Sequence, residues 1–267
     1  MDKQDLLSQL SADSLELIDE FQLFEEIDST NAEAIRQLRA GHTGCVIILA
    51  QCQTAGRGRR GRNWVSPPGG GVYMSLIRPI AAKVQELQSL SLVAALSVVA
   101  ALENCGITDL QLKWPNDVLH RKKKLGGILL ELHRSGPINT IVFGLGINIS
   151  LPPAARLEID RPATDLESIL GHDVDAVMIA AKLIDSLCAN VGKFEEEGFA
   201  PFLQAWNKLD YYRNRDIVIH NGEKKLIGKS LGVDAVGALI LQTAEGLQSI
   251  NGGEVFPSLS AAAEMEE

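Results

Sequence analysis

An arginine- and glycine-rich tract lies in the interior of the chain, between two apolar segments. Residues 56–62 contain four Arg and three Gly, with apolar residues prominent at 45–51 before them and at 72–78 after them. Apolar runs of this length predict a strand on each side of the tract. Glycine permits tight turns that expose N–H groups, and guanidinium groups match carboxylate and phosphate oxygens. The tract therefore predicts an anion-binding loop carried on a sheet.

A disordered, RNA-binding Arg-Gly segment is the alternative interpretation of this tract. Its internal position and its flanking strands disfavour that interpretation. The charge of the chain points the same way, because a net charge of −9 and a sequence pI of about 5.1 are unlike those of a dedicated nucleic-acid binder. A local cationic cluster on an acidic chain instead indicates a focused anion site, and no nucleic-acid partner is expected.

Size and composition indicate a cytoplasmic protein with a substantial core. The chain has 267 residues, of which 46% are hydrophobic, enough for one large domain or for one large and one small domain. Its four cysteines have no CxxC spacing, which favours reduced thiols. The N-terminus lacks the pattern of a signal peptide. The longest apolar run, residues 90–102, falls short of the roughly 20 residues of a membrane span, so no membrane association is expected.

The order of the predicted elements indicates an α+β fold, a mixed β-sheet with helices packed on it. After about Tyr212 the pattern changes to five short segments separated by glycine-containing turns, which is typical of a small β-barrel. We predict a short N-terminal extension (1–20), a main domain (21–212), a C-terminal barrel (213–258) and a frayed tail (259–267). Strands are predicted at 21–27, 46–49, 72–77, 110–114, 118–120, 126–132 and 140–145, helices from Thr30 and at 84–105, 176–194 and 199–209, and a turn at 134–137.

The segment Ser29-Thr30-Asn31 is predicted to begin a helix. Thr30 with Glu33 has the spacing of a capping box, in which the side chain of Thr30 would cap the helix. One residue suffices for a cap, so the other two polar side chains could face a ligand at the positive end of the helix.

Residues 113–117, Lys-Trp-Pro-Asn-Asp, follow a predicted strand and form a second candidate site. The ammonium group of Lys113 could neutralise phosphate, and Asp117, with or without Asn116, could hold Mg²⁺. An ordinary turn at the end of a strand explains Pro-Asn-Asp equally well.

Two glycine-bearing segments complete the candidate set. Lys124 adjoins Gly126 and Gly127 on a predicted strand, which would direct its ammonium group at a ligand, whereas a solvated lysine run is the alternative. Gly144 and Gly146, followed by Asn148, are expected to interrupt the next strand, and a β-bulge explains them as well as a nucleotide site does. The five histidines are scattered, so a catalytic or zinc histidine is not expected.

In this order, the motifs S-T-N, Q-T-A-G-R-G-R-R-G-R-x-W, K-W-P-N-D, K-L-G-G-I-L-x-E and G-x-G-I-N resemble those of biotin protein ligases, over residues 21–253. The resemblance implies an SH3-like fold for the C-terminal barrel. It implies activation of biotin with ATP to biotinyl-5′-AMP and transfer to one lysine of the biotin carboxyl carrier protein of acetyl-CoA carboxylase, or of a related biotin-dependent carboxylase. The monofunctional branch is expected, since about 20 residues before the main domain cannot form a winged helix-turn-helix. A homodimer is common in the family.

The resemblance also implies roles for individual residues. It assigns catalysis to Lys124, Arg57, Arg59 and Lys113, with ATP as co-substrate and Mg²⁺ held by Asp117. It assigns biotin binding to Ser29, Thr30, Asn31, Gln53, Gly56, Arg57, Lys124, Gly127, Gly144 and Gly146. It assigns binding of ATP and the adenylate to Arg59, Arg60, Arg62, Trp64, Lys113, Asn116, Asp117 and Asn148. Some members cover the adenine with a Trp, but residues 149–193 here contain no aromatic residue, so the adenine cover is unassigned.

Two alternatives share this scaffold. One is a lipoyl- or octanoyl-transferring relative, which the Arg-Gly tract and the Lys-Trp-Pro-Asn-Asp segment disfavour. The other is a non-catalytic regulator that binds biotinyl-adenylate.

Overall fold

The computed structural model describes residues 1–80, 89–135, 138–221 and 224–257. Helices are Lys3–Gln9 (α1), Ala12–Leu17 (α2), Thr30–Arg39 (α3), Leu90–Glu103 (α4), Pro153–Glu158 (α5), Leu166–Leu170 (α6), Ala176–Glu197 (α7) and Ala200–Leu209 (α8). Strands are Glu20–Ile27 (β1), Val46–Gln53 (β2), Gly71–Ile80 (β3), Leu110–Lys113 (β4), Asp117–His120 (β5), Lys123–Ser135 (β6), Ile138–Asn148 (β7), Asp216–Asn221 (β8), Lys224–Val233 (β9), Leu239–Thr243 (β10), Gly246–Ile250 (β11) and Glu254–Pro257 (β12).

The main domain is built on a mixed seven-stranded sheet in the order β1-β2-β3-β7-β6-β5-β4. Strands β1 and β2 are parallel, and the other pairs are antiparallel. The amphipathic helix α3 packs on one face, where Ala34 and Leu38 contact Val46 and Ile77. Helix α4, apolar on nearly all sides, is buried with α7 against the other face. The predicted α+β fold is confirmed.

Two local predictions are wrong. Ser29 rather than Thr30 caps α3, because its hydroxyl accepts from the N–H of Ala32, which leaves Thr30 inside the helix. Strand β7 does not break at Gly144: it runs without a bulge to Asn148, paired with β3 on one side and β6 on the other. Pairing on both sides supplies the hydrogen bonds that hold glycines in a strand.

The two strands β6 and β7 are longer than expected, so the predicted turn at 134–137 is shorter. Of that turn, residues 136–137 lie outside the described residues, as do residues 84–88 of the predicted long helix and the tail from residue 258.

The C-terminal strands form a five-stranded antiparallel sheet in the order β11-β10-β9-β8-β12. In the residues that the structure describes, no pairing between β11 and β12 closes this sheet into a complete barrel. Its inward residues Ile217, Ile219 and Val255 join the same apolar core as Trp206 of α8, so the small domain is anchored on the large one.

The predicted N-terminal extension forms two helices that pack on the main domain. Leu6 of α1 is fully buried, and the N–H and hydroxyl of Ser11 bond the carboxylate of Asp185 on α7. These contacts hold α1 and α2 against the main domain. Within the described ranges, the helices include none whose length and apolar character would suit it to cross a bilayer.

Candidate functional site

Two adjoining cavities lie at the edge of the main sheet beneath the Arg-Gly loop. The larger has a volume of about 330 Å³ and the smaller about 60 Å³. Gly58, Arg59, Trp64, Asn116 and Lys124 line both of them. A compound in one cavity would therefore meet a compound in the other beside these residues.

The start of α3 forms the polar end of the smaller cavity. The Gln53 side-chain carbonyl accepts hydrogen bonds from Thr30, at 2.9 Å from its backbone nitrogen and 3.3 Å from its hydroxyl oxygen. The Gln53 amide nitrogen donates to the Ser66 hydroxyl at 2.8 Å. Ser29 and Thr30 are buried, and the backbone of α3 directs its positive end here. This end of the cavity offers both donors and acceptors to a small polar group.

Asn31 connects α3 to the floor of the smaller cavity. Its side-chain oxygen accepts from the Ser75 hydroxyl at 2.6 Å, and its amide nitrogen donates to Glu131 at 2.9 Å. Glu131 also forms an ion pair with Arg57 at 3.0 Å. The chain of contacts from Ser75 through Asn31 and Glu131 therefore positions Arg57 at the rim.

Glycines of β6 and β7 make room for the side chains above them. A Cβ atom added to Gly146 would lie 2.5 Å from Trp64 Cε2, and one added to Gly127 would lie 3.2 Å from Trp64 Cζ3. At Gly144 an added Cβ would collide with the amide of Asn31. In this structure the side chains of Trp64 and Asn31 occupy the space above these glycines.

Cationic side chains dominate the larger cavity. Its lining includes Arg59, Arg60, Arg62, Lys113, Lys124 and Arg161. Burial lowers the pKa of Lys113, and the carboxylate of Asp117 partly offsets that effect. Burial also lowers the pKa of Arg59, with the neighbouring charge of Arg60 acting in the same direction. Burial destabilises the charged forms of these two side chains, so a bound polyanion would stabilise them more than it would stabilise solvent-exposed cations.

Lys124 lies at the junction of the two cavities. Its Nζ atom is 2.7 Å from Asp117 Oδ1 and 5.2 Å from the centre of the Trp64 ring. The register of β5 and β6 brings Lys124 and Asp117 together through a bulge between Val118 and Leu119. Both side chains are largely buried, so the pair is held in a fixed place.

Asn116 fastens Arg59 to the sheet. The Asn116 side-chain oxygen accepts from Arg59 Nη1 at 3.0 Å, and its amide nitrogen donates to the carbonyl oxygen of Ile128 at 2.9 Å. The Arg-Gly tract is therefore an ordered loop against the sheet, and its bridges Arg57↔Asn63 and Gln53↔Ser66 give it a hairpin-like base.

Glu254 of the C-terminal domain forms ion pairs with arginines of the same loop. The Nη1 and Nη2 atoms of Arg62 each lie 2.5 Å from an oxygen of Glu254, and Arg60 donates to the carbonyl oxygen of His220 at 3.3 Å. Burial alone would raise the pKa of Glu254, but the hydrogen bond and charge of Arg62 outweigh that effect and lower it. The C-terminal sheet is thus one wall of the larger cavity.

A strap at residues 158–164 forms the opposite wall. Lys124 donates its backbone N–H to Pro162 and accepts from Thr164, each at 2.9 Å, and the Asn148 amide donates to Thr164 at 2.9 Å. Asn148 is buried, and its side-chain amide is used in this hydrogen bond to Thr164. The strap is lined toward the cavity by Ile159, Asp160, Arg161 and Ala163, none of them aromatic.

The carboxylates suit a Mg²⁺ ion that arrives with phosphate. Within the described residues no group of three or more His, Cys, Asp or Glu side chains is arranged to hold a metal ion. Asp117 and Glu254 are nevertheless in the larger cavity. One or two carboxylates plus phosphate oxygens and water are the usual ligands of Mg²⁺ at a nucleotide, so the residues fit that role.

The structure thus brings together every site residue that the sequence singled out except Gly56. Gly56 lies directly under Trp64 and Ser66, where an added Cβ would collide with the Trp64 carbonyl oxygen, so it supports the loop without lining either cavity. Sequence reasoning missed Ser75, Arg161 and Glu254, and it gave no role to Glu131, the last residue of the motif K-L-G-G-I-L-x-E. The two-residue period of β6 could have placed Glu131 on the face of Gly127, whereas nothing in the sequence connects Glu254 to a loop almost 200 residues earlier.

Models of two families match this chain. The biotin/lipoate A/B protein ligase family matches residues 23–148, and the biotin protein ligase C-terminal domain matches residues 216–256. The second match covers β8 to β12 almost completely, which agrees with the small domain seen in the structure.

Individual proteins are similar over most of the chain. A biotin–acetyl-CoA-carboxylase ligase of Paracoccus denitrificans is 38% identical over 86% of this chain and 97% of its own length. The bifunctional ligase/repressor BirA of Salmonella typhimurium is 38% identical over 86% of this chain and 71% of its own length. The structure of the Aquifex aeolicus biotin protein ligase in complex with biotin and ATP superposes with a TM-score of 0.75, at 32% identity over 90% of this chain and 98% of that one.

Proposed function

This chain belongs to the biotin protein ligase family, and we propose that it activates biotin with ATP and transfers it to a lysine of a carrier domain. The single observation that carries the proposal is the junction of the two cavities. Lys124 and Arg59 line both, so a carboxylate from the smaller cavity and a phosphate from the larger would meet between two fixed cations.

The chemistry explains why such a junction is required. A carboxylate oxygen of biotin attacks the α-phosphorus of ATP, the bond to the β-phosphate oxygen breaks, and pyrophosphate leaves. Two anions approach in this step, so positioned cations stabilise it. The nucleophile is already ionised, so no general base is needed. In the second step the lysine amine attacks the acyl carbon, loses a proton and displaces AMP.

The smaller cavity is the proposed biotin slot. Ser29, Thr30 and Gln53 would bind the ureido group, because together they offer the donors and acceptors that a cyclic urea needs. Asn31, Gly127, Gly144 and Gly146 would shape the slot, Gly56 would support the loop over it, and Arg57 would lie over the valeryl chain. The dithiolane ring of lipoate has no N–H or C=O group that could bond with this polar end, which disfavours the lipoyl alternative.

The larger cavity is the proposed nucleotide site. Arg59, Arg60, Arg62 and Lys113 would bind phosphate oxygens, and Asp117 would hold Mg²⁺, which adds charge neutralisation when it is bound. Asn116 would position Arg59, and Asn148 would position the strap beside the nucleotide. Trp64 would pack at the boundary of the two sites.

Membership of the family implies carrier domains of biotin-dependent carboxylases as acceptors. The more specific assignment, the biotin carboxyl carrier protein of acetyl-CoA carboxylase, is part of the proposal. A homodimer, a cytoplasmic location, the absence of nucleic-acid and membrane partners, and the domain boundaries at residues 21, 213 and 259 stay predictions.

The test is direct labelling of an acceptor. The purified protein, ATP, Mg²⁺ and biotin are incubated with an apo biotin-carrier domain, and mass spectrometry should show one biotinyl group on one lysine. Labelling with lipoate in place of biotin would favour the lipoyl alternative. Tight binding of biotin and ATP without any labelling would favour a non-catalytic regulator.

A further inference from the structure

An apolar row crosses the outer face of the C-terminal sheet. Phe256 of β12 pairs with Val218 of β8, which pairs with Ile227 of β9. Directly paired residues share a face of a sheet, and the neighbouring residues Ile219 and Val255 point into the core. Phe256 is 37% exposed and Ile227 is 58% exposed, whereas Val218 between them is 8% exposed. Three strands spaced about 5 Å apart make this row roughly 10 Å long.

The row begins at the mouth of the larger cavity. The Phe256 ring lies 6.0 Å from the Nζ atom of Lys113, and Glu254, two residues earlier on the same face, bonds Arg62. The outer face is thus continuous with the larger cavity, beside which the biotinyl group of the adenylate would be transferred. A macromolecule whose lysine enters the cavity would have to rest on a surface of this kind.

Cations flank the row. Lys225 and Lys229 are exposed on the same face, opposite His220 and Asp216 in the register, and neither forms an ion pair among the described residues. Arg60 adds a half-exposed guanidinium group at the rim, where it lies 3.7 Å from the carboxylate of Glu254 that also pairs with Arg62. The exposed carboxylate of Asp216 lies opposite Lys229, so the face carries a small excess of positive charge, on a chain whose net charge is −9.

We infer that this face, Phe256, Val218 and Ile227 with Lys225 and Lys229, is the docking surface for the acceptor carrier domain, whose matching surface is apolar with an acidic border. The inference rests on the proposed function, because only a transferase needs a macromolecule at this mouth. The apolar row would be covered on docking, and the lysines would steer an acidic partner to it.

Formation of the adenylate needs no carrier domain, whereas transfer of biotin does. Measuring the two half-reactions separately therefore distinguishes docking of the carrier from the chemical step. Ile227→Asp should raise the KM for the apo carrier domain at least tenfold, while biotin-dependent exchange of pyrophosphate into ATP stays within twofold of wild type. Lys225→Glu should also raise that KM and weaken its dependence on salt concentration. The matched control is Val236→Asp, at a 49% exposed residue in the turn between β9 and β10, off this face, and both measurements should stay within twofold.

An unchanged carrier KM in both Ile227→Asp and Lys225→Glu would overturn the inference. Lys225 is exposed, so Lys225→Glu keeps the test valid if Ile227→Asp unfolds the small domain. Absence of both exchange and labelling in the wild type would instead refute the proposed function, which is a separate outcome.

Discussion

The Nζ atom of Lys124 lies 2.7 Å from Asp117 Oδ1, on adjacent strands at the boundary of the two cavities. The carboxylate fixes the direction of the ammonium group, and the low exposure of both side chains limits other arrangements. A cation held in this way is ready before substrates arrive, so little reorganisation accompanies the reaction. This pair is the centre of the proposed mechanism.

Replacement of Lys124 should therefore affect the adenylation step. We expect Lys124→Gln to lower the rate of biotin-dependent pyrophosphate exchange by about 10²- to 10³-fold, the usual cost of one preorganised electrostatic contact. The matched control is Lys123→Gln, because Lys123 is the exposed neighbour on the same strand. Equal exchange rates in the two variants would contradict the role of Lys124.

Replacement of Arg59 should weaken the hold on the adenylate. Arg59 bonds Asn116 and lies in both cavities, so we expect Arg59→Gly to release biotinyl-AMP into solution and to label lysines of bystander proteins such as serum albumin. Western blotting with streptavidin measures that labelling. Arg121→Gly, at an exposed arginine paired with Asp109, is the control and should label only the carrier domain. Bystander labelling no greater than with wild type would count against this function of Arg59.

Binding of biotin should displace Trp64. The smaller cavity has only about 60 Å³, far below the roughly 300 Å³ at which ligand pockets begin, and the indole lies against Gly146 inside it. Its Nε1 atom is buried without a hydrogen-bond partner among the described residues, so movement of the ring would break no hydrogen bond of the indole.

Intrinsic fluorescence measures this movement. Trp114 and Trp206 are almost fully buried, so a change in emission on addition of biotin should come mainly from Trp64. We expect the change to be lost in Trp64→Phe and kept in Trp206→Phe. A full signal in Trp64→Phe would show that the slot opens in another way.

Asp210 should make stability depend on pH. Burial raises its pKa to about 6, and its Oδ2 atom has no partner among the described residues. In the unfolded chain an aspartate has a pKa of about 3.9. The ionised form is therefore disfavoured by folding: the cost is absent below about pH 4, grows between pH 4 and 6, and is fully present above pH 6.

Asp210→Asn should remove that cost. Two pKa units correspond to roughly 3 kcal/mol, so the variant should gain about that much free energy of unfolding relative to wild type between pH 4 and pH 7, measured by urea denaturation. Asp13→Asn, at an exposed residue of α2, controls for the loss of one negative charge. If the free energies of unfolding of wild type and Asp210→Asn change in parallel with pH, the expectation is wrong.

Local signals singled out the Arg-Gly loop, Lys113 to Asp117 and Lys124, and the resemblance to biotin protein ligases supplied the individual roles. The loop follows β2, Lys113 ends β4 and Lys124 lies near the start of β6, and strands in one sheet bring such segments to a common edge. The sequence could not show that Gly144 stays within a strand, because pairing on both sides of β7 overrides the local preference of glycine. Nor could it show the contact of Glu254 with Arg62, which depends on how the small domain sits on the large one.

In the proposed mechanism a biotin carboxylate and the α-phosphate of ATP react between Arg59 and Lys124. Biotin-dependent exchange of radiolabelled pyrophosphate into ATP measures that step alone, without any carrier domain. We expect exchange that requires biotin and Mg²⁺ and that falls at least a hundredfold in Lys124→Gln. Exchange that proceeds without biotin, or that lipoate supports and biotin does not, would contradict it.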